Sequence, residues 1–228
     1  MIENLQIDEA VQHYVDNKHL FEQFAEGLIL HLGKDPQLCK YIHFIKFRLK
    51  DREHLRNKLI RILLQEKAKG NKNHITKENI FSKINDLAGI RILHLHTDQI
   101  EHMNPLIIKV LNEHKYKLIK GPIATCWDIE YEQLFKRYGI KTESRYSMYT
   151  SIHYVIEANQ KTKITAELQV RTMMEEVWGE VSHMITYPDR IISHTCEDQL
   201  KILARFTSGC TRLVDCIFKT SKESLSHS

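Results

Sequence analysis

The sequence predicts an α+β domain in which one mixed β-sheet is flanked by helices. Three observations lead there. Apolar residues recur at helical spacing near the N-terminus (Val11, Tyr14, Phe21, Phe24, Leu28, Leu32), and helical patterns return after residue 172. The apolar run 90–96 (IRILHLH) has the length and β-branched content of a buried strand. Two alternating runs, 151–158 and 163–171, are joined by the turn-prone segment NQKT and read as a hairpin. Strands mixed with helices and ending in an antiparallel pair fit a single sheet with helical cover.

The elements follow in order. The first stripe predicts one helix over 8–32, ended by Gly33 and Pro36. Residues 41–49, rich in aromatic and β-branched types, read as a strand. Asp51 is placed to cap a basic helix with Leu55, Leu59, Ile62 and Leu63 inward, stopping near Gly70, and GNKNH is a loop. Thr76 opens a short helix through Ile84. A helix lies within 98–114, with Asn104-Pro105 as its start or a kink, and 115–120 is a strand. From Gly121 to Tyr149 the pattern is weak and predicts a partly helical excursion with a mobile loop. The helix over 172–187 carries Met174, Val177, Trp178, Val181 and Ile185 on one face and is closed by Pro188. A last amphipathic helix spans 196–218, and the tail SKESLSHS frays. The expected organisation is a helical region over 1–38, a mixed-sheet core over 39–190, and a helix and tail over 191–228.

Composition narrows the class. With 228 residues, 42% hydrophobic and 27% charged, the chain is an ordinary globular one. It is long enough to bury roughly 70% of its unfolded surface. No run of about 18 apolar residues exists, so no membrane span or membrane partner is expected. The acidic start lacks an apolar stretch and does not read as a secretory signal. Five cysteines without a C-x-x-C pair point to reduced thiols in a cytoplasm. Charge is uneven: residues 46–77 hold eleven Lys or Arg and three acids, a local +8 in a chain of +4. Such a segment attracts phosphates, and it is also what a solvated helix face looks like.

The strand 163–171 is the most telling segment. Alternation puts Thr165, Glu167, Gln169 and Arg171 on one face and Ile164, Ala166, Leu168 and Val170 on the other. Its partner presents His153, Val155 and Glu157 on one face, so coincident polar faces point Glu167 and His153 into one cleft; a plain exposed sheet face would be polar too. Asp86 stands at the mouth of the 90–96 strand, where a carboxylate suits Mg²⁺ or simply caps a turn. With Glu167 and the basic helix it makes a phosphoryl-transfer constellation. G-x-G-x-x-G and G-x-x-x-x-G-K-[ST] are absent, so side chains must hold any phosphate, and Arg48, Lys50 and Lys58 are placed to do so.

Taken in order, Arg48-Leu-Lys50 with Lys58, Asp86-Leu-Ala-Gly-Ile-Arg91, Tyr149-Thr-Ser-Ile-His153, Glu167-Leu-Gln-Val-Arg-Thr172 and Trp178…His183…Tyr187 resemble the synthetase domain of RelA/SpoT-type proteins. These are the (p)ppGpp synthetases, and the resemblance covers about residues 40–190, in the form of a stand-alone small alarmone synthetase. It implies a nucleotidyltransferase-like sheet and a GTP or GDP pyrophosphokinase: the β,γ-pyrophosphate of ATP moves to the 3′-hydroxyl of GDP or GTP in the stringent response. By motif, Asp86 ligates Mg²⁺, and Glu167 ligates it too or acts as base. Arg48, Lys50, Lys58 and Arg91 hold ATP. Tyr149 stacks on the acceptor base, and His153 sits beside the acceptor phosphates or the transferred group. Gln169, Arg171 and His183 are supporting residues, and Trp178 is core.

The acceptor loop departs from the family pattern K-x-x-G-Y-R-S-x-H. Met148 replaces the glycine and Thr150 the arginine. Arg145 and Lys141 are expected to supply the missing cations. Acceptor identity therefore stays open between guanosine nucleotides, adenosine nucleotides (a (p)ppApp synthetase) and the 3′ end of tRNA in a toxin. A catalytically dead nucleotide- or RNA-binding regulator is the remaining alternative, disfavoured by the presence of both carboxylates. No hydrolase-type His-Asp dipeptide occurs, and a homo-oligomer is open.

Overall fold

The computed structural model describes residues 2–71, 75–144, 147–187 and 190–226. Six strands run in chain order as β1 (Phe44–Leu49), β2 (Ala88–His94), β3 (Lys117–Cys126), β4 (Lys141–Ser144), β5 (Ser151–Glu157) and β6 (Thr165–Thr172). They form one mixed sheet in the order β1-β2-β6-β5-β3-β4. The pairs β1/β2, β6/β5 and β5/β3 are antiparallel; β2/β6 and β3/β4 are parallel. The helices are α1 (Ile2–Asp16), α2 (Lys18–Lys34), α3 (Arg52–Ala68), α4 (Ile80–Lys83), α5 (Ile100–Glu113), α6 (Ile129–Arg137), α7 (Met173–Thr186) and α8 (His194–Ser226).

The pleat sorts residues onto two faces. Ile90, Ile92, Ile152, Tyr154, Ile156, Ala166, Leu168 and Val170 are buried in one core with Phe21, Ala25, Leu28 and Leu32 of α2 and Met103, Ile107 and Leu111 of α5. Each Ile, Leu, Val, Met or Phe side chain among them contributes about 1.5–3 kcal/mol by leaving water. The N-terminal helices thus belong to the same core as the sheet. The opposite face carries the polar half of every central strand, and α7 crosses one end of it.

Local chemistry fixes the boundaries. Asp51 caps α3 as expected, its Oδ1 accepting from the N–H groups of Glu53 (2.9 Å) and His54 (3.1 Å). Thr172 ends β6 and caps α7, accepting from the Glu175 N–H at 3.2 Å, so strand and helix join without a loop. Tyr14 of α1 is fully buried, and its hydroxyl lies 3.0 Å from the Lys50 carbonyl and 3.2 Å from that of Leu87.

Several boundaries differ from the sequence pattern. The single helix over 8–32 is two helices broken at Asn17, whose side-chain amide donates to the His13 carbonyl at 2.8 Å and closes α1. Gly33 lies inside α2, and Asp35 is extended ahead of Pro36. The first strand starts at Phe44, not 41, and the second covers Ala88–His94, two residues earlier than its apolar run. Residues 77–79 form a turn, leaving only Ile80–Lys83 helical, and Pro105 lies within α5 rather than at its start. Within 121–149 the helical part of the expected excursion is α6, capped by Asp128; ahead of it β3 continues to Cys126, and after it β4 adds an edge strand. The last helix extends to Ser226 in place of a frayed tail. Pro188, Arg145 and the loop residues 72–74 lie outside the described residues.

Candidate active site

Strand register builds the polar face as rows. Across β1, β2, β6, β5 and β3, partner positions run Arg48, Gly89, Glu167, Val155, Lys120. The next row runs Lys46, Arg91, Gln169, His153, Ile123 and reaches Lys141 on β4. Residues directly opposite share a face, so the expected meeting of Glu167 with His153 is realised. His153 Nδ1 lies 3.0 Å from Glu167 Oε1, and Gln169 Nε2 donates to Glu167 Oε2 at 3.0 Å. Burial raises the Glu167 carboxyl, but those hydrogen bonds and the His153 ring outweigh it and hold the group below the ordinary carboxylate value.

Asp86 sits where the chain enters β2, with Lys50 Nζ 2.6 Å from one carboxylate oxygen and Lys58 Nζ 2.7 Å from the other. Burial pushes this carboxyl upward as well, and the two ammonium groups more than offset it. Asp86 is therefore ionised and doubly paired. Lys50 leaves β1 at its end, and Lys58 comes from α3 two turns past the Asp51 cap. The three residues meet because Lys58 reaches from α3 to Asp86 at the start of β2, beside the end of β1 where Lys50 lies.

Two cavities open on this face. One of about 520 Å³ is lined by Arg48, Arg91, Lys120, Thr125, Glu143, Tyr149, His153, Glu167, Gln169, Arg171, Trp178, Glu180 and His183, among others. The other, about 290 Å³, is lined by Lys46, Arg48, Lys50, Asp86, Arg91, Glu167, Gln169 and Glu180 with flanking backbone. Arg48, Arg91, Glu167, Gln169 and Glu180 border both. The chambers thus meet at Glu167 and Gln169. Volumes of several hundred Å³ suit small molecules of nucleotide size.

Tyr149 borders the larger chamber. Its hydroxyl is 3.4 Å from Gln169 Oε1, the Arg171 guanidinium lies 5.5 Å from its ring centre, and His153 and Trp178 stand 5.8 and 6.5 Å away. Gln169, Arg171 and His183, read from sequence as supporting groups, line this chamber themselves. Trp178 is buried as expected, its indole N–H donating to the Leu200 carbonyl at 3.0 Å, yet its ring also forms chamber wall. Lys141 is exposed on the edge strand and lines neither chamber. Lys58 reaches the site only through Asp86.

Sequence reasoning missed two acidic residues of the site. Glu176 and Glu180 of α7 hold a cluster of cations: Arg91 Nη1 lies 2.8 Å from Glu176 and also bonds Glu180, Lys46 contacts both, and Arg171 pairs with Glu176. Burial raises the Glu180 carboxyl, and the Arg91 hydrogen bond and Lys46 charge override it, taking it down to about 2. The only hint was their four-residue spacing on one helix face. Gly179 between them was also missed: a Cβ there would stand 2.5 Å from Arg171 Nη1, so a side chain at this position would displace the guanidinium.

Comparisons with known proteins place the sequence and the fold. The sequence is 28% identical over 203 residues to GTP pyrophosphokinase YwaC of Bacillus subtilis (strain 168), across 79% of this chain and 83% of that protein. The fold matches small alarmone synthetase 1 from Bacillus subtilis bound to its product pppGpp, with a TM-score of 0.62, 18% identity, and coverage of 94% of this chain and 99% of that one. The same synthetase bound to AMPCPP gives a TM-score of 0.60 at 18% identity, covering 89% and 95%. A family model described as a region found in RelA / SpoT proteins matches residues 47–191, more than half of the sequence. The chain belongs to the RelA/SpoT family.

Proposed function

We propose that this protein transfers the β,γ-pyrophosphoryl group of ATP to the 3′-hydroxyl of GDP or GTP, making (p)ppGpp and releasing AMP. The observation that carries the reading is the junction of two chambers at Glu167. One is cation-rich and holds Asp86; the other is walled by Tyr149 and His153. A pyrophosphoryl transfer needs this division: donor phosphates on one side, an acceptor hydroxyl on the other, and a carboxylate between them. The relative named as a GTP pyrophosphokinase, and the solved structures that hold AMPCPP and pppGpp, support the same substrates.

The chain's own residues divide the work. Arg48, Lys50 and Arg91 border the smaller chamber and bind the ATP phosphates, with Lys58 acting beside Lys50 at Asp86. Tyr149 offers a ring to the acceptor base, and His153 and Gln169 fix the direction of the Glu167 carboxylate. The acceptor 3′-oxygen attacks the β-phosphorus, the bond from that phosphorus to the oxygen bridging it to the α-phosphorus breaks, and AMP leaves with that oxygen. Glu167, ionised at neutral pH, accepts the hydroxyl proton.

Asp86 and Glu167 fit a Mg²⁺ ion, since both are ionised, both border the smaller chamber, and Mg²⁺ commonly takes only one or two carboxylates beside phosphate oxygens. When bound, the ion would neutralise phosphate charge as the transfer proceeds. We place the protein in the cytoplasm, where its nucleotide substrates lie and its free cysteines stay reduced. No helix among the described residues is long and apolar enough to cross a membrane.

The test is label transfer from γ-³²P-ATP with Mg²⁺, offering GDP, GTP, ADP, ATP and deacylated tRNA separately. Label on GDP or GTP supports the reading. Label confined to an adenosine nucleotide or to tRNA, or on nothing, contradicts it.

A further inference from the structure

We propose that Lys120 is the anchor for the 5′-phosphates of the acceptor nucleotide, and so selects a phosphorylated nucleoside over a bare one. The inference rests on the acceptor assignment of the larger chamber made above.

Three observations carry it. The first is charge. Among the described residues, the cations bordering the two chambers are Lys46, Arg48, Lys50, Arg91, Lys120 and Arg171. Lys46, Arg91 and Arg171 are bound to Glu176 or Glu180, and Lys50 to Asp86. Arg48 and Lys120 are the two that no described carboxylate neutralises. An unpaired cation on a chamber wall keeps its full attraction for an incoming phosphate, whereas a paired one must first give up a carboxylate.

The second is position. Arg48 and Lys120 stand at opposite ends of the row that has Glu167 at its centre, each two strands away. Two strand spacings are about 10 Å. Arg48 borders both chambers, whereas Lys120 borders only the larger one. A donor triphosphate held from the Arg48 side and an acceptor held from the Lys120 side would therefore present their reacting atoms to each other near Glu167. A lysine stem is long enough to span from β3 toward phosphates lying beyond a 3′-hydroxyl at Glu167.

The third is the backbone that aims it. Leu118 pairs with Ile156, Lys120 with Val155, and Ile123 with His153. Two register shifts therefore flank Lys120, each giving β3 one residue more than β5. Without the first, Lys120 would share the core face with Leu118, by the simple alternation of a strand. Without the second, Ile123 would leave the chamber. Gly121 makes the second possible: its φ is +97°, and a Cβ there would stand 2.2 Å from the His153 carbonyl oxygen. Bulges of this kind re-aim side chains beside active sites. Here they turn a lysine out of the apolar core and into the acceptor chamber.

The experiment compares full-length wild type with Lys120→Gln, Lys120→Arg and Lys117→Gln. Lys117 is an exposed lysine on the same strand that lines neither chamber, so its substitution controls for net charge. Lys120 is exposed too, so its variants should fold. Equilibrium binding of GDP and of guanosine is measured directly, alongside the KM for ATP. Loss of one charge-assisted contact predicts about tenfold weaker GDP binding in Lys120→Gln. Guanosine binding and the KM for ATP should stay within about twofold, Lys120→Arg should recover most of the loss, and Lys117→Gln should match wild type. Unchanged GDP binding in Lys120→Gln, an equal loss for guanosine, an equal effect from Lys117→Gln, or a wild type that does not bind GDP would each overturn the proposal. Label transfer by wild type is scored separately. Transfer to GDP with Lys120→Gln binding GDP normally would sink only this inference; no transfer would sink the functional reading and leave the binding data to decide on Lys120.

Discussion

The His153 imidazole meets the Glu167 carboxylate diagonally across the β5/β6 pair, with Nδ1 3.0 Å from Oε1, because register sets His153 opposite Gln169 and Val155 opposite Glu167. Gln169, directly opposite His153, holds the other Glu167 oxygen at 3.0 Å. One carboxylate is thus fixed by two neighbours and faces the junction of two chambers. A second carboxylate, Asp86, is fixed by Lys50 and Lys58 at 2.6 and 2.7 Å. Both are oriented before any ligand arrives, which is the condition for electrostatic preorganisation.

Asp86→Asn should abolish turnover and also weaken the fold. It leaves Lys50 and Lys58, each about three-quarters buried, facing one another without a counter-charge. The cost should fall between the ~1 kcal/mol of an exposed pair and the ~3 kcal/mol of a buried one. Urea unfolding of the variant checks it; an unchanged midpoint would mean the triad contributes nothing to stability.

Tyr14→Phe should disturb the site from outside it. The hydroxyl ties the carbonyls of Lys50 and Leu87, which flank the Asp86 triad, to α1. Its loss should cost about 1 kcal/mol of stability. It should lower kcat and raise the KM for ATP while leaving the acceptor KM alone. Equal changes in both KM values would place the effect on general loosening.

The hairpin and the shared face of Glu167 and His153 were legible in the sequence because alternation is a local property that pairing only confirms. Asp51 announced α3 because a cap is chemistry within three residues. The continuation of β3 was not legible: Gly121-Pro122 reads as a terminator, and only the space against His153 shows why a glycine is needed there. Nor were Glu176 and Glu180 legible as part of the site, since their partners Lys46 and Arg91 lie 85 to 134 positions away. The break at Asn17 was hidden because apolar periodicity continues across it.

Gly179→Ala should separate helix stability from site geometry. Alanine is the better helix former by about 1 kcal/mol. Its methyl would nonetheless displace the Arg171 guanidinium, which is almost fully buried and paired with Glu176 beneath Tyr149. The expected outcome is a protein with no net gain in stability, because the disturbed buried pair offsets the helix gain, that binds acceptor at least tenfold more weakly. Normal acceptor binding would show that Arg171 has room to shift.

Glu175 gives a pH signature. Burial lifts its carboxyl to about 8, with the nearby Asp128 charge adding to the rise and Arg171 opposing it. The folded state therefore keeps a proton that the unfolded chain releases near its ordinary pKa of about 4.3. Stability from this group is full below that value and is lost as pH rises toward 8. Glu175→Gln, neutral throughout, should lose less stability than wild type between pH 5 and pH 9. Parallel pH profiles for the two proteins in urea unfolding would contradict the assignment.

The most direct test of the central claim is pyrophosphoryl transfer to GDP by purified Glu167→Gln, measured beside its binding of ATP and GDP. The amide keeps the shape of the carboxylate and removes its charge. Turnover lowered at least a hundredfold, with both nucleotides bound within a few-fold of wild type, is the predicted result. Substantial turnover in that variant would contradict the placing of the reaction at the junction of the two chambers.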